Sequence, residues 1–357
     1  MEFIVESAIK QQEQNNQFKD VMIGQANIKV VGVGGAGGNM VTWLYKKGIK
    51  GAEIIAVNTD QQHLNIHEAD KKVLIGRDLT KGLGAGGYPQ VGTNAANESL
   101  QDLRESLKGA DMVFVCAGEG GGTGTGAAPV VAKIAKEMQA IVIGTVTMPF
   151  ELERARLDKA EFGLQQLRQV SDSVIVIDNN RLVSIAGNLP IQQAFAVANE
   201  LIATMIKGIV ETIAVPSLVN LDYADVKAIM SDSGVCSIGV GESNSDQKVD
   251  EATRRALTNP LLDVSYKGAQ GALIHIEGGP DLTLDDVNRV GDIVTEALDK
   301  DANVIWGARI NDNTSGKLRI MTIIAGVNSP YILGRVDYTK PSPQTIRFGE
   351  ELGIDIL

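Results

Sequence analysis

The chain has 357 residues, enough for two ordinary domains each with its own core. With 44% hydrophobic and 22% charged residues it reads as globular; its formal charge of -11 disfavours broad binding to nucleic acid or anionic lipid, so an anionic ligand must be held locally. The distant cysteines Cys116 and Cys236 fit a reducing compartment, and His63, His67 and His275 add no metal-ligand spacing, which argues against a disulfide framework or a zinc site.

Residues 1–26 carry acids early and no long apolar core, so they do not read as a secretory signal. Phe3, Ile4, Ala8 and Ile9 give one face of a short helix, either a frayed arm or a docking segment. No apolar run reaches the roughly 18 residues of a spanning helix, so no direct membrane insertion is expected. From Asn27 strands and helices alternate: NIKVVGVGG, NMVTWLYKKG, AEIIAVNTD, then DMVFVCAG, AIVIGTVTM and DSVIVIDNN. Continuous Val/Ile runs of this kind predict an α/β domain with a parallel sheet covered on both faces, ligands lying at the strands' carboxyl ends. LPIQQAFAVANELIATMIKGIVETI, Leu189 to Ile213, predicts a long helix buried on several sides and joining two halves. Beyond it GVCSIGVGES, GALIHIEGG, NVIWGARI and KLRIMTIIAGV read as strands, with DDVNRVGDIVTEALD a helix. This is an α+β domain with a mixed or antiparallel sheet and helices on one face. The expected divisions are 1–26, 27–188, 189–213, 214–329 and a tail, 330–357.

GEGGGTGTGAAP, Gly118 to Pro129, sits between a buried strand and a helix, the place where backbone N–H groups and a helix N-terminus bind phosphate. GVGGAGGN, Gly32 to Asn39, is a second such loop; alone it also satisfies a dinucleotide fingerprint, with Asp60 about where a ribose-binding acid falls, so a dehydrogenase stays open. GLGAGGYPQVG, Gly82 to Gly92, is either a loop that orders over a terminal phosphate or an ordinary surface loop. In NLDYADVKAIM, Asp222 and Asp225 lie three apart at a helix start, as caps or as carboxylates that polarise a water.

Together GGGTGTG, GVGGAGGN, AVNTD, KGLGAGG and NLDYADV resemble the tubulin/FtsZ superfamily, specifically the FtsZ family of cell-division GTPases, over roughly Asn27 to Val327, with GALIHIEGGPDLTL and NVIWGARI similar to archaeal members. The resemblance implies a Rossmann-like GTPase domain, GTP/GDP with Mg2+ held mainly by the phosphates, head-to-tail protofilaments, and a cytoplasmic protein at mid-cell. By it, Gly35, Ala36, Gly37, Gly38 and Asn39 match the first phosphate and base loop, and Gly120, Gly121, Gly122, Thr123, Gly124, Thr125 and Gly126 the phosphate signature. Asn58 and Asp60 match the loop near the γ phosphate and metal, and Gly84, Ala85, Gly86 and Gly87 the loop that senses that phosphate. Pro149 joins the nucleotide-binding residues, Glu153 and Arg156 match the ribose side, Asn179 and Asn199 match base contacts, and Phe195 an aromatic against the base or, equally, a core residue. By the same resemblance, Asn220, Asp222 and Asp225 would serve the neighbouring subunit's nucleotide. Two departures stand out. In ERAR, two residues rather than three separate Glu153 from Arg156, so Arg154 competes for that position. The closing RFGEELGIDIL follows without a long linker, leaving a membrane adaptor to bind through Phe348, Leu352, Ile354 and Leu357. A regulatory filament that does not constrict would carry the same motifs.

Overall fold

The Val/Ile runs become strands in a computed structural model that describes residues 26–329, apart from 216, 232, 259, 260, 263 and 315. In chain order they are β1 (Ile28–Val33), β2 (Ala52–Asn58), β3 (Lys71–Leu74), β4 (Met112–Gly118), β5 (Ile141–Met148), β6 (Ser173–Asp178), β7 (Gly234–Ser243), β8 (Gly271–Gly278), β9 (Asn303–Ile310) and β10 (Leu318–Ala325). The α-helices are α1 (Gly34–Lys46), α2 (Gln61–Ile66), α3 (Arg77–Thr80), α4 (Pro89–Glu98), α5 (Leu100–Leu107), α6 (Thr123–Glu137), α7 (Leu157–Gln169), α8 (Asn179–Ala186), α9 (Ile191–Ala214), α10 (Tyr223–Met230), α11 (Lys248–Leu257) and α12 (Leu284–Glu296).

All ten strands join one sheet in the order β3-β2-β1-β4-β5-β6-β7-β10-β8-β9. The first six are parallel throughout, as fully buried runs such as Ile28–Val33 require. Their order is that of a doubly wound sheet, and the direction of winding reverses between β1 and β4. β6 meets β7 through only two residue pairs, Ser173 with Gly234 and Val174 with Val235. From there the pairing turns mixed: β7 and β8 are antiparallel to β10, and β9 is parallel to β8.

Helices cover both faces of this second half, where the sequence reading expected one. Ala252 and Ala256 of α11 and Val290 and Val294 of α12 join Ile274, Ile276 and Ile320 on one side. Ile202 and Ile206 of α9, with Val226 and Ile229 of α10, join Leu273 and Ile323 on the other. α9 also departs from its expectation. It has 24 residues and is long and apolar enough by composition to cross a membrane, yet that apolar side is packed within the fold. Burial begins only at Ala198, and in the first two turns Ile191 and Phe195 are 71% and 41% exposed. Polar ties fix α9 to α1: Trp43 Nε1 donates to Glu200 at 2.7 Å, Lys47 to Glu200 and Thr204, and Lys207 Nζ to the carbonyls of Lys47 and Gly48. The arm at 1–25 and the tail, with Phe348, Leu352, Ile354 and Leu357, lie outside the described residues.

Candidate functional site

Four helices are capped at their N-termini by side chains: α2 by Asp60, α8 by Asp178, α10 by Asp222 and α12 by Thr283. α1 and α6 are not. Val33 and Gly122 at their N-caps offer no side-chain bond, and neither first turn contains an acid. Each helix therefore presents free N–H groups and the positive end of its dipole. The two starts abut, since a Cβ on Gly34 would lie 2.8 Å from the Gly124 nitrogen. They follow β1 and β4, so two unpaired donor sets converge at the point where the sheet's winding reverses, an arrangement built for an anion.

A cleft of about 380 Å³ opens there. Gly35, Ala36, Gly121, Gly122, Thr123 and Gly124 form its floor, and Pro149, Glu153, Arg156, Asn179 and Phe195 its wall. Phe195 is no core residue; its ring meets Phe150 edge-on, with centroids 6.1 Å apart, and the pair forms the apolar side of the cleft. ERAR lies in a 3₁₀ segment, Glu151–Arg156, that kinks at Arg154, and within it Arg156 Nη1 donates to Glu153 Oε2 at 2.6 Å. Glu153 Oε1 accepts from the Phe150 N–H, so both oxygens of this carboxylate have partners. Arg154 stays outside the cleft lining.

The other expected residues surround this floor. Asn58 Oδ1 accepts from the N–H groups of Thr59 and Asp60, shaping the turn after β2, and Thr59 Oγ1 lies 2.7 Å from Thr123 Oγ1. Ala85 and Gly87 rest on the Gly118–Gly126 loop, where a Cβ on Gly122 would lie 2.8 Å from Ala85 Cβ, 3.0 Å from the Tyr88 nitrogen and 3.1 Å from the Gly87 nitrogen, while Gly84 faces Asp60 and Gly86 faces Tyr88. Lys159 holds this third loop by donating to the Gly87 carbonyl at 2.9 Å. Gly37, Gly38 and Gly126 are not in the cleft lining; they face Cys116, His67 and Pro89 and let helices approach closely. Gly120 packs on Arg156, Asn39 is exposed on α1, and Asn199 is half-buried on α9 one turn beyond Phe195. Among the described residues no group of three or more His, Cys, Asp or Glu is placed to hold a metal ion.

The acid loop lies elsewhere. Asp222 Oδ1 accepts from the Asp225 N–H at 3.0 Å and Asp225 Oδ2 from the Asp222 N–H at 2.9 Å, a reciprocal cap that engages one oxygen of each. Asn220 Oδ1 accepts from the Ser217 N–H and closes the preceding turn. Beside Asp222, the Tyr223 hydroxyl donates to the carbonyl of Asp111, the residue that precedes β4. The phosphate-type loop follows that same strand, whose seven residues span ~20 Å at ~3.3 Å per residue, so the two loops flank its opposite ends.

A sequence model described as "Tubulin/FtsZ family, GTPase domain" matches residues 27–187, and one described as "FtsZ family, C-terminal domain" matches residues 234–328. The chain belongs to the FtsZ family. It is 56% identical over 341 residues to Cell division protein FtsZ 2 of Methanocaldococcus jannaschii, covering 95% of this chain and 89% of that protein. To Cell division protein FtsZ 2 of Halobacterium salinarum it is 52% identical over 339 residues, covering 94% and 86%. Among solved structures it resembles the empty FtsZ dimer of M. jannaschii, with TM-score 0.78 and 42% identity over 94% of this chain and 99% of that one. The protein is therefore a GTPase with the tubulin/FtsZ fold, and the dehydrogenase reading of GVGGAGGN falls.

Five residues of the FtsZ-type cleft were not singled out from the sequence: Thr147 and Phe150, and, inside the two quoted glycine loops, Val33, Gly118 and Glu119. Glu119 is the unusual one. It stands inside the glycine signature, is 5% exposed, and neither carboxyl oxygen has a hydrogen-bond partner. α7 accommodates it at Gly163, where a Cβ would fall 2.2 Å from Oε2. Burial pushes its pKa up to about 8, against the lowering influence of the neighbouring Thr125 hydroxyl. A neutral acid is thus compatible with a polyanion beside it, which an ionised one would repel.

Proposed function

We propose that this FtsZ-family GTPase binds GTP in the cleft between the β1 and β4 loops and polymerises head to tail, each subunit's Asp222 and Asp225 completing the site of the next. The observation that carries this is the ~20 Å of β4 separating the acids from the glycine loops, a gap one molecule cannot close by side-chain motion. A contact of unlike ends that does not close on itself yields an open filament. The bare starts of α1 and α6 receive phosphates, Phe195 and Phe150 bound the base, and Asn179 and Asn199 offer amides to guanine. Asp222 and Asp225, each with one oxygen outside the cap, orient the attacking water while Asn220 shapes their loop. Magnesium would neutralise charge on the β and γ phosphates. The phosphates would hold it, with Asp60, whose Oδ1 is engaged by the His63 N–H, as the neighbouring carboxylate.

The division into a GTP-binding domain at 27–188, a central helix at 189–213 and a domain at 214–329 carrying the acid loop is part of this reading. So is a cytoplasmic role at mid-cell, in keeping with the relatives' names as cell division proteins. The closing peptide RFGEELGIDIL is assigned to a membrane adaptor; its deletion should spare polymerisation and abolish recruitment.

The test is GTP turnover per molecule against protein concentration, with magnesium present and light scattering followed in the same cuvette. Specific activity should be near zero when dilute and rise with scattering above a threshold. Turnover that is flat with concentration, without scattering, refutes the shared site.

A further inference from the structure

The acid loop hangs from the end of α9, and a single side chain from another element grips that connection. Arg309, on the edge strand β9, donates through Nη2 to the carbonyls of Glu211 and Val215 at 2.8 and 2.9 Å, and through Nε to Ser217 Oγ at 3.2 Å. A cation at the C-terminus of a helix meets the negative end of its dipole, and only a guanidinium supplies this many donors in one plane. Ser217 passes the constraint on, because its N–H is the donor that Asn220 accepts. Next to Arg309, Ala308 exchanges two backbone hydrogen bonds with Val219, at 3.0 and 3.1 Å. Strand and guanidinium together fasten both sides of the turn that delivers Asp222. The charged and titratable groups around Arg309 are Glu211 on α9, Glu277 and His275 on β8, and Arg319 on β10.

We propose that Arg309 is a positioning residue for GTP hydrolysis: by fixing Val215 and Ser217 to the end of α9, beside the Val219 pairing with β9, it sets where Asp222 and Asp225 stand against the neighbouring subunit's nucleotide. The proposal rests on the shared-site reading above. It assigns Arg309 no contact with nucleotide, so its loss acts on turnover and leaves GTP affinity alone.

The experiment compares Arg309→Met, which keeps the aliphatic stem and removes every donor, with Arg309→Lys, which keeps the charge. GTP affinity is measured on dilute protein and turnover is expressed per assembled subunit. Arg309→Met should bind GTP within about twofold of the parent and turn it over on the order of tenfold more slowly, since a loop displaced by about 1 Å suffices for such losses; Arg309→Lys should recover part of the rate. Mixed filaments supply the readout that a general folding defect cannot mimic. Combined with Gly122→Ser subunits, whose acid loop is intact, Arg309→Met subunits should regain turnover, because their nucleotide now meets an undisturbed loop. Asp222→Ala subunits are mixed in the same way as the control. Rescue of Asp222→Ala without rescue of Arg309→Met overturns the role of Arg309 alone. Failure to rescue Asp222→Ala overturns the shared site and this proposal with it. Should Arg309→Met not assemble, Ser217→Ala removes a single contact, and turnover equal to the parent's would overturn the proposal.

Discussion

Glu119 makes the protein less stable than it need be, by an amount that depends on pH. Its carboxyl moves from a usual pKa of 4.5 to about 8 on folding, chiefly through burial. Below pH 4.5 both states are protonated and the group is neutral to stability. As pH rises the unfolded chain ionises while the folded one keeps its proton, so folding loses ~1.4 kcal/mol per pH unit. The loss reaches roughly 3 kcal/mol at pH 7 and is complete, at roughly 5 kcal/mol, above pH 8. Glu119→Gln does not titrate. Urea unfolding of parent and variant from pH 5 to pH 8 should therefore give a stability difference that grows in the variant's favour along that slope. The buried amide contributes only a constant offset, and other titrating groups cancel in the difference. A difference that stays constant with pH would mean that Glu119 is ionised in the folded protein, and the account of a neutral acid beneath the phosphate loop would be withdrawn.

Gly122→Ser should weaken GTP binding at least tenfold, about 1.4 kcal/mol, because its Cβ would press on Ala85 and the Tyr88 nitrogen, displacing the Gly82–Gly92 loop from the Gly118–Gly126 loop. Equilibrium binding on dilute protein checks this, and unchanged affinity removes the phosphate role. Phe195→Ala should lower nucleotide affinity by about 1–2 kcal/mol while leaving the melting temperature nearly unaltered, since the ring is a cleft wall; a large melting shift with unchanged affinity would return it to the core. His275 is 5% exposed, and burial first, then Arg309, lowers its pKa to about 4. The unfolded chain takes up that proton first as pH falls below 6.5, so stability drops by ~1.4 kcal/mol per unit down to about pH 4. His275→Gln should flatten the fall by about 2 kcal/mol between pH 7 and pH 5, and parallel stability curves would count against a neutral buried imidazole.

The parallel half of the sheet was legible because its strands are uninterrupted apolar runs ending in Gly-rich or polar loops, a pattern tied to burial on both faces. β3 was not, since KKVL offers two lysines and too short a run. The start of α9 reads as core because Ile191 and Phe195 continue its apolar pattern, but in the fold both are exposed and Phe195 faces the cleft. For Asp222 and Asp225, capping and catalysis looked like alternatives, but the cap engages one oxygen of each acid and leaves the other outside it. The residues that escaped notice depend on distant neighbours. Glu119 looks like an exposed loop acid until α7 brings Gly163 against it, and Arg309 reads as an ordinary strand cation until the end of α9 arrives beside it.

The two ends of β4 differ in the kind of partner each accepts. One is rich in unclaimed N–H donors, the other in carboxylate oxygens. Two copies meeting through like ends would set donor against donor or acid against acid, whereas unlike ends complement each other, with nucleotide between them. An assembly following that rule carries a direction: one tip always exposes a nucleotide floor and the other always exposes acids. Growth and loss at the two tips are then different reactions with different rates, so a strand made of identical subunits can gain length at one end while shedding it at the other.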